Sequence, residues 1–587
     1  MSSEVDSFLT DFFRSPSSAS FPGFYLLLTI ITIILISGPK QVFASHDLTI
    51  NRMQHYDIER VPHGSRNSII NLDLATLSTL SRSFAKKCVL IHLVDLINST
   101  DTYKSLITEP SVGGMLILVP KSFKSFSSKL RSKVIEMENF MISQVIDIPI
   151  YFAHEEPQLL SVYDEIISLS TSKSHGSDYS KFFESLTKSG YKLFTHAAPA
   201  KAISAPILTN VEATLLGRGM EDQLPTIMFT AHYDSFGISP GLSFGSDSNA
   251  SGMITLLELC RLFSKLYSDR RSHPTMNLVF LLTAAGKFNY LGSKKWMEEQ
   301  DHSKNKVVND PLLTISLDSL GHQINSDQIF AHVSKAPKDN SQGALFIKNL
   351  IEIAELRKTN ASMVRKKINL ANEVLDWEHE KFTIRRMPAL TVSSLPSPRS
   401  EWRTSITDIA ETIDVEILSR NIELIAESLA RLVFKLDDIS GSSVFREDLA
   451  VSRSSVNSLI HQFSSQSRAQ QVLLTSSSGS SKYKVSPLLS TLSSILKKCT
   501  KNTRFQHYKL DEREPEVVFF DQNIVNVSIY NVKPAIFDFL LSIAISFYLG
   551  NLYIFLNYFS VIQFLVQSLK FKASAQNGVA MAKSKVQ

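Results

Sequence analysis

His232 and Asp234 stand two residues apart, just past the apolar run Pro225-Thr226-Ile227-Met228-Phe229-Thr230. Asp318 closes a second such run, Leu312 to Leu317. Imidazole and carboxylate groups at strand ends are the donors that zinc takes in hydrolytic sites. Other positions work against that chemistry. Gly286-Lys287 follows a third apolar run, Leu278 to Leu282, and Arg403, in Trp402-Arg403-Thr404, lies beyond a fourth, Pro388 to Val392. Glycine has no titratable group, while lysine and arginine bring fixed positive charge to strand ends where a dication would have to sit. The loop Gly245-Ser246-Asp247-Ser248-Asn249-Ala250-Ser251-Gly252 begins eleven residues after Asp234 and adds one carboxylate, Asp247. Such a mixture favours internal ion pairs and hydrogen bonds.

The elements that must carry these residues are legible around them. The four apolar runs are continuous rather than alternating, as expected of strands buried on both faces of a sheet covered by helices. Between the first two lies a helical pattern, Met253 to Leu266, behind Ser251 as N-cap. Another amphipathic helix runs from Ile417 to Leu436. Residues 191–437 therefore read as an α/β domain with a mostly parallel sheet. Residues 45–190 read as a separate N-terminal α/β unit with strands at Cys88-Ile91, Gly114-Val119 and Ile148-Phe152. Residues 438–530 read as a serine-rich, flexible or partly helical insertion followed by a membrane-proximal segment.

A chain of 587 residues exceeds a single-domain core. Its net charge of +5, from 61 basic and 56 acidic residues, is too mild to argue for nucleic acid. Cys88, Cys260 and Cys499 are too few and scattered for a disulfide framework or a zinc knuckle, and a Cys88–Cys499 pairing stays open. Residues 1–44 read as a signal peptide cleaved after Ala44 or as an uncleaved signal anchor, built on the apolar run Phe24 to Ile36. A second apolar segment, 535–556, is long enough to span a bilayer at ~20 residues. The tail 570–587 carries Lys570, Lys572, Lys583 and Lys585, which marks it as cytoplasmic and the body as lumenal. Sequons at Asn98, Asn249 and Asn360 suit a lumenal body, and a fourth, Asn526, lies close to the membrane.

In order and spacing, these motifs together resemble the core of the M28 metallopeptidase family over roughly residues 190–437. The resemblance implies two zinc ions at the carboxyl ends of a parallel sheet. It gives His232 the role of a zinc ligand, Asp234 that of the carboxylate orienting it, and Asp318 that of a second-metal ligand. Ser248 stands where the family has a bridging aspartate, Gly286 where it has the general base, and Lys287 and Arg403 where it has further ligands. Asp247 falls one residue early. Of the expected ligands His232 and Asp318 remain, so the resemblance implies a degenerate, non-catalytic site with no bound cofactor.

Flanking segments narrow the likeness. Asn51 to Asp57, Arg365 to Ala371, Trp377-Glu378-His379-Glu380 and Val532 to Asp538 resemble the nicalin family, relatives of nicastrin. That resemblance implies a single-pass endoplasmic reticulum membrane protein acting as a scaffold. It also implies assembly with the nodal modulator protein and a small multi-spanning membrane protein. The setting would be beside the translocon and its ribosome-associated machinery, in multipass membrane-protein biogenesis, with links to Nodal signalling and receptor assembly. Two other classes compete with it: an active zinc metallopeptidase built on His232, Asp234 and Asp318, and a peptide-binding receptor that keeps the cleft without hydrolysis.

Overall fold

The strand-length apolar runs of the sequence sort into a closed barrel and an eight-stranded sheet, accompanied by a four-stranded and a two-stranded sheet. The computed structural model describes residues 45–80, 85–98, 102–171, 190–220, 224–302, 311–323, 327–372, 374–400, 403–436, 443–478, 482–521, 523–532, 539, 541–553 and 557. The leader or anchor expected at 1–44, the tail at 570–587 and Trp402 lie outside them. The chain divides into two units, Met1–Ser45 and His46–Gln587, and the architecture below is that of the second.

Seven strands close into a barrel: His46–Arg52, Asn71–Ala75, Lys87–His92, Val112–Val119, Ile150–His154, Gly190–Thr195 and Ile524–Val532. Its central strands are apolar without alternation because both faces are buried. Cys88, Leu90, Leu116 and Leu118 enter one core, while Val89, Ile91, Met115 and Ile117 enter another. The first and last strands pair antiparallel, with His46 opposite Ile529 and Asn51 opposite Ile524.

The main sheet has eight strands, labelled here in chain order. They are β1 (Ile207–Leu215), β2 (Thr226–His232), β3 (Asn277–Thr283), β4 (Leu313–Leu317), β5 (Gln328–Val333), β6 (Asn360–Arg365), β7 (Ala389–Ser393) and β8 (Asn502–Lys509). Their order across the sheet is β6-β5-β7-β4-β2-β3-β1-β8. The central strands β3, β2, β4 and β7 run parallel, and β1 and β8 close one edge antiparallel. Packed against the sheet are α1 (Gly252–Ser268) and α2 (Val415–Phe434), whose buried faces share one core cluster with it. Thus the four apolar runs seen in the sequence are four strands of this sheet.

The segment 438–530, expected as a flexible or partly helical insertion and a membrane-proximal stretch, is built into both the main sheet and the barrel. It contributes α3 (Arg453–Ser464), α4 (Pro487–Cys499), edge strand β8 and the last barrel strand. Its serines serve the helices. Ser452 and Ser486 accept from backbone amides as N-caps, and Ser458, Ser490 and Ser494 bond back to carbonyls one turn earlier on exposed faces. Serine content therefore misled where it marks caps and solvent faces. The cysteines separate as well. Cys88 lies in a barrel core, whereas Cys499 packs against the main-sheet core.

Residues 541–553 are helical, with exposed apolar side chains such as Phe547 and Tyr553. Among the described residues no helix is long and apolar enough to cross a membrane, and the expected span 535–556 is described only in part.

Candidate functional site

Where strand order reverses in an open parallel sheet, the loops on either side splay apart and leave a crevice at the carboxyl ends. Here β2 lies between β3 and β4, so that point falls at His232, the last residue of β2. Asp318 follows β4 directly, Gly286 and Lys287 turn out of β3, and Arg403 arrives from the loop between β7 and α2. The expected residues are indeed brought together, in contacts of their own kind.

Asp318 and Arg403 form a buried ion pair, Nη2 to Oδ2 at 2.5 Å. Ser319 Oγ donates to the other Asp318 oxygen at 2.9 Å. Two further bonds hold Arg403: Nη2 donates to Tyr290 Oη at 3.0 Å and Nη1 to the Asp376 carbonyl at 2.8 Å. Its guanidinium lies 4.4 Å from the Trp377 ring centre. Burial alone would raise the Asp318 pKa, but Arg403 and then Lys287 outweigh it and hold the carboxyl well below the usual range.

Lys287 Nζ donates to Ser248 Oγ at 2.9 Å. Burial, then Arg403, pulls its pKa down to about 8 against the attraction of Asp318 and Asp234. Asp234 does not touch His232 as the M28 resemblance implied. Its two oxygens accept from the backbone amides of Gly286 and Lys287, at 2.8 and 3.3 Å, and so fix that turn. Burial nevertheless pushes Asp234 up to about 6.

His232 is fully buried, and burial followed by Lys287 drives its pKa well below the usual value, so the ring is neutral. The Asn249 amide nitrogen lies 3.3 Å from His232 Nδ1 and also donates to the carbonyls of His232 and Leu317. Asn249 Oδ1 accepts from Gly252 N, which sets the amide's orientation. His232 Nδ1 is thereby the acceptor and Nε2 carries the proton, with no hydrogen-bond partner among the described residues. Gly286 leaves room for this ring: a Cβ there would lie 2.3 Å from His232 Cβ and Cγ.

Two positions that hold the site gave no sequence signal. Asp408 accepts the amides of Asp247 and Ser248, each at 2.8 Å, and is pushed up to about 6 by burial and by Asp247. Arg468, from the serine-rich segment, donates to the carbonyls of Tyr233, Phe244 and Gly245. Gly245 sits at φ 59°, in the left-handed region, where a Cβ would meet Ser235 and the Ser248 carbonyl at 2.5 Å. Nearby, Ser251 makes no N-cap bond. Its hydroxyl donates to the Asp247 carbonyl and accepts from Leu320 N instead. His379 is a packed histidine between Thr391 and Ser334.

These donors do not fit a two-zinc centre. His232 offers a protonated nitrogen, Asp318 is occupied by Arg403, Asp234 by backbone amides, and Ser248 is neutral. Among the described residues no three His, Cys, Asp or Glu side chains are grouped to hold a metal.

The expected glycan at Asn249 is ruled out by its surroundings, since the residue is fully buried and its amide is spent inside the fold. Asn98 and Asn360 are exposed.

The Peptidase family M28 profile matches residues 210–429. A mouse protein named BOS complex subunit NCLN is 37% identical over 561 residues, covering 94% of this chain and 96% of the relative. A Caenorhabditis elegans protein named Nicalin is 30% identical, covering 78% of this chain and 83% of its own. Among solved structures, the gamma-secretase component nicastrin superposes with a TM-score of 0.56 over 84% of this chain and 100% of its own, at 11% identity. That last likeness is one of fold: a mixed α/β body with an M28 peptidase-like domain. Kinship at 37% identity along nearly the whole length goes further, and by it the chain belongs to the nicalin family.

Proposed function

We propose that this protein is a non-catalytic scaffold subunit of a BOS complex in the endoplasmic reticulum membrane. The observation that carries the reading is Arg403 seated on Asp318 at 2.5 Å, inside a site whose second cation, Lys287, is bonded to Ser248. A pocket that supplies its own positive charges satisfies its carboxylate internally and has no vacancy for two dications. The names of the mouse and human relatives supply the assembly.

In this reading residues 535–556 span the bilayer, the body is lumenal and the tail 570–587 is cytoplasmic. The peptidase-like domain presents a folded surface to the nodal modulator protein and to a small multi-spanning membrane protein. The assembly works beside the translocon in multipass membrane-protein biogenesis, with effects on Nodal signalling and receptor assembly. Asn98 and Asn360 are the glycan acceptors.

Two measurements test it. Purified protein equilibrated with zinc and desalted should retain well under one ion per chain and release no amino acid from aminopeptidase substrates. Stoichiometric zinc with turnover would return the protein to the enzymes. Affinity capture in mild detergent should bring down membrane partners in fixed ratio, and a protein recovered only as a free monomer would sink the scaffold reading.

A further inference from the structure

The barrel and the main-sheet domain leave a groove where they meet. Two cavities, of about 450 and about 300 Å³, adjoin along this seam and share Phe123, Ile409 and Glu411 in their walls. One side of the groove is the loop 120–127, between the barrel strand Val112–Val119 and the helix Ser128–Ile142. The other side is the segment 406–412, a few residues beyond Arg403 in the loop that also carries Asp408.

The walls are set before anything binds. Ser122 Oγ donates to Glu411 at 2.7 Å and ties the two loops together, while Ile406 N donates to the buried Glu138 at 3.1 Å. Phe123 is buried and meets Phe126 edge-on, with ring centres 5.2 Å apart. A groove held in this way loses little conformational freedom when it is filled. Its two halves differ in chemistry. Leu242, Phe244 and Ile406 make the smaller one largely apolar. The larger one takes Lys124 and Arg131, with His322 beside them. Burial pulls His322 down to about 4, so it adds no charge at neutral pH. Three fixed cations, Lys121, Lys124 and Arg131, thus line the groove against one carboxylate, Glu411. Lys121 and Lys124 are exposed, and neither has an ion-pair partner among the described residues.

We propose that this seam is a docking groove for an extended acidic segment of a partner polypeptide. Its carboxylates lie toward Lys124 and Arg131, and an adjoining apolar side chain fills the half walled by Leu242 and Ile406. Charge complementarity selects the occupant, because a surplus of positive charge favours an acidic chain and repels a basic one. A channel of this volume, cationic at one end and apolar at the other, suits a peptide better than a lone ion. None of its walls is His232, Asp318 or Lys287, so the groove is distinct from the old metal site. It stands whether or not the chain is a BOS subunit.

The test uses the full chain in mild detergent and short fluorescein-labelled peptides in which a run of glutamates adjoins a phenylalanine or a leucine. Fluorescence polarisation should show at least one of them bound, and its counterpart with lysine for glutamate unbound. K121E/K124E, changed only at exposed positions, should keep the wild-type melting temperature and weaken binding by about tenfold or more. On binding, amide hydrogen exchange should slow in 120–131 and 406–412. Glutamate peptides that bind no better than their lysine counterparts, or that ignore K121E/K124E, overturn the proposal. So does protection that falls in the Gly245–Gly252 loop instead, which would put the peptide in the older cleft. Capture of phosphatidylserine vesicles through the same two lysines, with no peptide bound, would make the groove a lipid contact and also overturn it. Absence of peptide binding in a protein that still brings down membrane partners removes the groove alone. A bound peptide on a protein without membrane partners removes the scaffold reading alone.

Discussion

Arg403 and Asp318 hold each other in a place where neither is tolerated alone. Removing the guanidinium in R403A leaves Asp318 buried beside a single partly buried lysine. We expect a loss of ~3–5 kcal/mol in urea unfolding, with a smaller loss in the apolar pair D318L/R403M. Glu378 behaves oppositely. It is buried, accepts from Thr283 at 2.8 Å and Ser293 at 2.5 Å, and burial pushes its pKa from 4.5 up to about 7. A raised carboxyl favours the protonated form in the fold. Its contribution is therefore complete below about pH 4.5 and is lost as pH rises through about 7. Relative to wild type, E378Q should gain on the order of 3 kcal/mol between pH 4.5 and 8, read from denaturation curves at both ends. Lys287 and Asp318 were legible because each falls next to a recognisable strand end, and Arg403 because it sits in the motif Trp402-Arg403-Thr404 beyond the last of those strands. Asp408 and Arg468 were not, because they act on the backbone of a loop far away in sequence.

At the scale of elements, strands that bury aliphatic side chains announced themselves, whereas β1 stayed hidden. It buries Thr209, Asn210, Glu212 and Thr214, and this polarity is tolerated because partners come from distant elements. Asn210 donates to the Gly292 carbonyl at 2.9 Å, and Glu212 accepts from Trp296 Nε1 at 2.8 Å and from Arg504 and Gln506 on β8. No local pattern encodes such matches. The helix α2 was legible from its apolar stripe, and its start depends on one side chain. Asp414 accepts from the amides of Glu416 and Ile417 at 2.8 and 3.3 Å. D414A should cost about 1 kcal/mol without changing the denaturant slope.

The whole molecule is closed by the segment that composition marked only as a serine-rich insertion and a membrane-proximal stretch. Periodicity reports on neighbours along the chain, so a barrel strand supplied from 524–532 to partners at 46–52 and 190–195 leaves no trace in either stretch alone. A chain ending at Ser478 loses α4, β8 and the last barrel strand together. We expect it to show no cooperative thermal transition, and a normal transition would mean that the two sheets hold without that strap.

With His46 opposite Ile529, the polypeptide enters and leaves this body at the same end of one antiparallel pair. A tug that spread the two exits would peel the rungs in succession, beginning there, instead of loading all of them in shear. Tension shared equally by both exits would leave those rungs at rest, so the strength of this pairing depends on the exits staying side by side.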